Sequence, residues 1–159
     1  MPPHPNRTQM IMNIKNYTSG VPVEKTVARI EALLADFKAK AIGKNYNDGR
    51  LESLTFQIAI NGHDVLIRLP ANPQAVYEAL RKEVIRPRDG TLEKLMQQSD
   101  RTAWKLQQDW LEIELTKIKL GQTVPLQAFL SYVWDGQTTY YEQLENRSFK
   151  GLLLNAPGQ

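Results

Sequence analysis

The chain has no cysteine. That excludes disulfide bonds, thiolate metal ligands and a thiol nucleophile, and it fits a reducing compartment. Long apolar runs are missing too. None approaches the roughly 18 residues of a membrane-spanning helix, and residues 1–9 have no hydrophobic centre of the kind a signal peptide carries. The expected setting is the cytoplasm, with no membrane partner. Histidine is scarce: His4 and His63 have no second His or Cys nearby with which to share a metal. The glycines assemble neither a G-x-G-x-x-G nor a Walker loop, and no serine sits in a G-x-S-x-G elbow. Ser19 and Ser53 have no evident base. Asp109 and Glu112 share a helix face, but Lys105, four residues before Asp109, makes an ordinary surface ion pair the simpler account. The sequence therefore predicts no metal, no cofactor and no enzymatic activity.

What remains is an ordinary globular composition. The chain has 159 residues, 42% of them hydrophobic, which is enough for one domain with a real core. That domain is expected over 11–159, after a disordered tail over 1–10 in which three prolines occur and no periodicity is visible; Met10 and Met12 are alternative starts. The net charge of +3 is unevenly spread. Up to Gly90 there are 13 Lys and Arg against 9 Asp and Glu, whereas the remainder has 7 against 8. An anionic partner is permitted by this asymmetry.

The strongest local pattern lies in residues 54–69. Leu54, Phe56, Ile58 and Ile60 alternate with Thr55, Gln57 and Ala59, as in a strand with one covered face. Asn61-Gly62 then supplies two residues that accept positive φ, the requirement of a tight hairpin turn. Facing Ile60 with His63 pairs Ile58 with Val65, Phe56 with Ile67 and Leu54 with Leu69, so the large apolar side chains share one face. Ahead of this hairpin, Val27, Ile30, Leu34 and Phe37 stripe a helix that opens at Pro22. A strand over 41–46 follows. A three-residue loop at Asn47-Asp48-Gly49 sets Ile42 opposite Leu54. Residues 11–17 read as a short strand or arm.

Beyond Pro70, Asn72 is the expected N-cap of a helix over 74–85, with Val76, Leu80 and Val84 inward. Arg86-Pro87-Arg88-Asp89-Gly90 breaks the chain. A long helix capped by Thr91 should then run to about Leu120, with Gly121 ending it. It is apolar on two sides, Trp104, Leu111, Leu115 and Ile118 on one, and Ala103, Leu106, Trp110 and Ile113 on the other. Short helices over 125–132 and 138–145 follow, with Phe129, Tyr132, Val133 and Trp134 available to cover its second face. The fold class is α+β: a three-stranded antiparallel meander, two helices on one of its faces, and a long third helix with short C-terminal ones.

The one positive functional signal is cationic. Arg81, Lys82, Arg86 and Arg88 fall within eight residues, and Arg101 and Lys105, with Arg68, are candidates to join them in space. Such a group can grip phosphates by charge and by bidentate guanidinium contacts. The expected function is a non-enzymatic accessory protein binding DNA or RNA there. The alternative is a protein-interaction or assembly factor, homodimeric through the exposed side of the long helix.

Lys15-Asn16-Tyr17-Thr18, Val21-Pro22, the strand carrying Phe56, Arg68-Leu69-Pro70 and Arg101-Thr102-Ala103-Trp104-Lys105 with Asp109-Trp110 resemble a family of small uncharacterised proteins of bacteria and their phages. The resemblance implies a phage or prophage setting and no particular activity. The order helix-strand-strand-strand-helix is also similar to that of the double-stranded-RNA-binding domain, which uses lysines at the start of its last helix. This chain has Asn72-Pro73-Gln74 there instead.

Overall fold

A computed structural model describes residues 14–154. They form α1 (Val23–Asp36), β1 (Ala41–Asn47), β2 (Arg50–Ile60), β3 (His63–Pro70), α2 (Pro73–Arg81), the long α3 (Thr91–Lys119), α4 (Pro125–Phe129), a 3-10 turn (Leu130–Tyr132) and α5 (Tyr140–Asn146). The strands build one antiparallel sheet in the order β1-β2-β3, so the class is α+β. Two compact units are present. One comprises the chain up to Leu33 with Pro70–Ile113, the other Leu34–Leu69 with the chain from Glu114 onward. Because two of the boundaries fall inside α1 and α3, no linker marks the division. The tail expected over 1–10 lies outside the described residues, as do residues 11–13.

In the unit that holds the sheet, β2 ends at Ile60 and β3 begins at His63, leaving the two-residue turn Asn61-Gly62 with φ of 51° and 81°. Leu54, Phe56, Ile58, Ile67 and Leu69 are buried, as the alternation requires. The β1–β2 connection departs from the expected three-residue loop. Asn47 pairs with Arg50 around Asp48-Gly49, whose φ values of 49° and 74° fit a two-residue turn, and a bulge then leaves Glu52 without an opposite residue. The bulge restores parity: Ile42 faces Phe56 and Lys44 faces Leu54. An apolar residue thus reaches the central Phe56 by a route that turn length alone does not give.

The other face of this sheet is not simply wet. Ser53 is fully buried and accepts hydrogen bonds from Asn45 Nδ2 at 3.2 Å and Arg68 Nε at 3.4 Å. Across its exposed end, Lys40 Nζ donates to Asp64 Oδ1 at 2.6 Å, and that bond holds the Asp64 carboxyl below the usual carboxylate range.

The C-terminal stretch was expected to cover the long helix; within this unit it serves the sheet. Val133 bridges Ile67 in antiparallel fashion, and the Trp134 N–H donates to the Leu66 carbonyl at 2.9 Å, so β3 gains a partial neighbour along its outer edge. Phe129 packs edge-on to Phe56 and to Phe37. The reason is complementarity: β3 is an edge strand with unpaired backbone groups, and a segment ending in Val-Trp can satisfy them while burying side chains. α5 then starts from a capping box, Thr139 accepting from the Glu142 N–H and Glu142 accepting from the Thr139 N–H. α3 ends as expected, with Gly121 and Gln122 donating back to Ile118 and Lys117.

In the other unit, Pro22 opens α1 by accepting from Lys25 and Thr26, and Val27 and Ile30 are buried. Residues 14–17 form a turn rather than a strand, with Tyr17 donating to the Ile14 carbonyl and Asn16 at φ 65°. Trp104 and Leu111 are buried on α3, as is Ala103 from its second apolar side.

Candidate nucleic-acid interface

The cationic stretch forms the end of α2 and the loop of residues 82–90. α2 stops at Arg81, four residues earlier than the apolar spacing suggests, and Asn72 does not cap it: that residue is left-handed, at φ 52°, and its side chain makes no capping bond. The early stop has a local cause. Glu83 and Val84 donate to the carbonyls of Leu80 and Arg81, tightening the chain out of the α-helical path, and Arg81 Nη1 donates to the Val84 carbonyl at 2.9 Å. Pro87 further biases Arg86 toward extended backbone.

The far end of the loop is also fixed. The Arg88 N–H donates to Thr91 Oγ1 at 3.1 Å, while Thr91 and Lys94 donate to the carbonyls of Arg88 and Gly90. Gly90 therefore supplies the first helical acceptor in place of Thr91, whose hydroxyl turns back to hold the loop. Between these two anchors Lys82, Arg86 and Arg88 are exposed, and among the described residues no carboxylate pairs with any of the three. Ile85 is 87% exposed in their midst.

Helix electrostatics separate these cations into two groups. Arg81 and Lys82 lie at the C-terminal end of α2, where positive charge complements the dipole. Arg86 and Arg88 lie just before the N-terminus of a 29-residue helix, where positive charge is disfavoured. Dipole complementarity thus accounts for the first two and not for the last two.

Arg101 and Lys105 are engaged elsewhere. Arg101 Nε donates to the Ser19 carbonyl at 3.1 Å and its terminal nitrogen to Gln98 Oε1 at 2.6 Å. Gln98 also donates to the Ser19 carbonyl, and Thr102 Oγ1 donates to the Asn16 carbonyl at 2.9 Å. Lys105 lies 3.7 Å from Asp109, which further accepts from Asn16 Nδ2 at 2.8 Å and sits 3.5 Å from Lys15. These contacts stitch residues 15–19 onto α3. Burial pushes the Asp109 carboxyl up, but the Asn16 bond and the charges of Lys105 and Lys15 outweigh it and hold the group below its ordinary value. Glu112 pairs with Arg29 at 3.3 Å. Both acidic residues are thus in ion pairs.

Trp104 is buried and Trp110 half-buried, so neither is an open platform for bases. Among the described residues, no group of three or more His, Cys, Asp or Glu could hold a metal ion, and no helix is long and apolar enough to cross a membrane. The exposure of Ile85 has no signal in the sequence, because the stripe of Val76, Leu80 and Val84 carries the expected helix to its end there without assigning Ile85 a face. Searches of protein-family models, of curated proteins and of solved structures return no match to this chain.

Proposed function

We propose that this chain is a non-enzymatic accessory protein of phage type that binds DNA or RNA through the loop of residues 82–90. Lys82, Arg86 and Arg88 contact phosphates, Arg81 holds the base of the loop, and Arg101 and Lys105 contribute charge from α3 while bonded within the chain. One observation carries this reading: two exposed arginines, without carboxylate partners among the described residues, precede a helix N-terminus, where helix electrostatics oppose them. A phosphate backbone supplies the missing compensation. Fluorescence anisotropy with single- and double-stranded oligonucleotides across a salt series tests it. Salt-sensitive binding is expected, and no binding at low salt overturns the proposal.

A second reading, self-association through the exposed side of α3, draws on Ile113, which is 59% exposed in the C-terminal third of that helix. Light scattering on the wild type and on Ile113→Glu decides it. A dimer converted to a folded monomer supports this reading, and a wild-type monomer removes it.

A further inference from the structure

Arg68 stands on β3 without a counter-charge among the described residues. Its Nε donates to Ser53 Oγ at 3.4 Å, its Cζ lies 5.9 Å from the centre of the Trp134 ring, and the side chain is half-buried. No carboxylate among the described residues pairs with it. The donors on its two terminal nitrogens have no acceptor among those residues either. A guanidinium partly withdrawn from water and lacking an anion is costly unless something restores its hydrogen bonds.

The surroundings deepen that shortage. Ser53 is fully buried, and its oxygen already accepts from Asn45 as well as from Arg68, leaving its own hydroxyl proton to be placed. The Trp134 indole N–H is closed to solvent and has no hydrogen-bond partner among the described residues. Around Arg68 the side chains therefore offer donors in excess of acceptors. The approach of the guanidinium to the Trp134 ring is of cation–π type, and the forked N–H edge of an arginine suits a planar anion.

We propose that Arg68, with Ser53 and Trp134 beside it, forms an oxyanion-binding site on β3, separate from the loop of residues 82–90. The ligand is a carboxylate or phosphoryl group bound through two parallel N–H···O bonds to the terminal nitrogens of Arg68. Asn45 is a positioning residue, because its amide holds the Ser53 oxygen and so the Arg68 Nε.

The test is a titration of the full chain with inorganic phosphate and, separately, with acetate at constant ionic strength, followed through the Trp134 indole and Arg68 Nε resonances in proton–nitrogen spectra. Saturable shifts are expected with at least one of them. Saturation by phosphate alone identifies a phosphoryl ligand, and saturation by acetate alone a carboxylate. Arg68→Gln should abolish the response. Arg68→Lys keeps the charge but not the fork, and should weaken binding by about tenfold or more; it serves as the deciding variant if Arg68→Gln does not fold. Shifts that rise linearly without saturating, or that persist in the Arg68 variants, overturn the proposal.

Discussion

Phe129 meets Phe56 edge to face, with ring centroids 5.5 Å apart and planes at 84°. This contact ties the short α4 to the centre of β2. Phe56→Ala and Phe129→Ala should each cost about 3–5 kcal/mol in chemical denaturation. The double variant should cost less than the sum by about 0.5–1.5 kcal/mol, the coupling of an aromatic pair. Additive losses would show that the two rings act independently.

Gly43 pairs with Thr55 across β1 and β2, and a Cβ added to it would lie 2.6 Å from Thr55 Oγ1. Gly43→Ala should therefore destabilise by about 1–2 kcal/mol. Adding Thr55→Ala removes the atom in the way and should recover most of that loss. Thr55→Ala alone should cost less than about 1 kcal/mol.

Asp109 gives the fold an acid-sensitive contact. Its folded-state carboxyl titrates below the unfolded value, so its contribution is complete above the unfolded pKa of about 3.9 and is lost as pH falls through the lower folded value. Asp109→Asn should cost about 1 kcal/mol at pH 7 by urea unfolding. The gap between variant and wild type should narrow as pH falls below about 4. A gap that stays constant down to the acid limit would show that its charge contributes nothing.

Arg86→Glu with Arg88→Glu should weaken nucleic-acid binding and reduce its salt slope by about two, the number of phosphate contacts removed. Thermal stability should change little, because both side chains are exposed. Unaltered affinity in anisotropy would place the contact elsewhere.

The hairpin through Asn61-Gly62 was legible because turn chemistry and alternation agree within a few residues. The β1–β2 register was not, since turn chemistry and apolar alternation carry no sign of the bulge beside Glu52. The end of α2 was misplaced because Val84 keeps the helical spacing, while Arg81 takes its carbonyl and turns the chain. The destination of Val133 and Trp134 was hidden for a different reason: an edge strand far back in sequence needed a neighbour. Arg81, Lys82, Arg86 and Arg88 were visible as a cluster because they fall within eight residues of sequence. The surroundings of Arg68 were not, because Ser53 and Trp134 come from distant parts of the chain.

Because α1 and α3 each contribute residues to both compact units, the order of synthesis constrains how the chain can mature. The first unit is incomplete until Ile113 has left the ribosome, and the second has only its sheet and the end of α1 by then. The first unit therefore has all its residues while the second still waits for the segment from Glu114 onward. The three strands are complete at Pro70, well before Phe129 and Val133, so a truncated product ending before α4 carries an open β3 edge and an uncovered Phe56, the features that recruit aggregation.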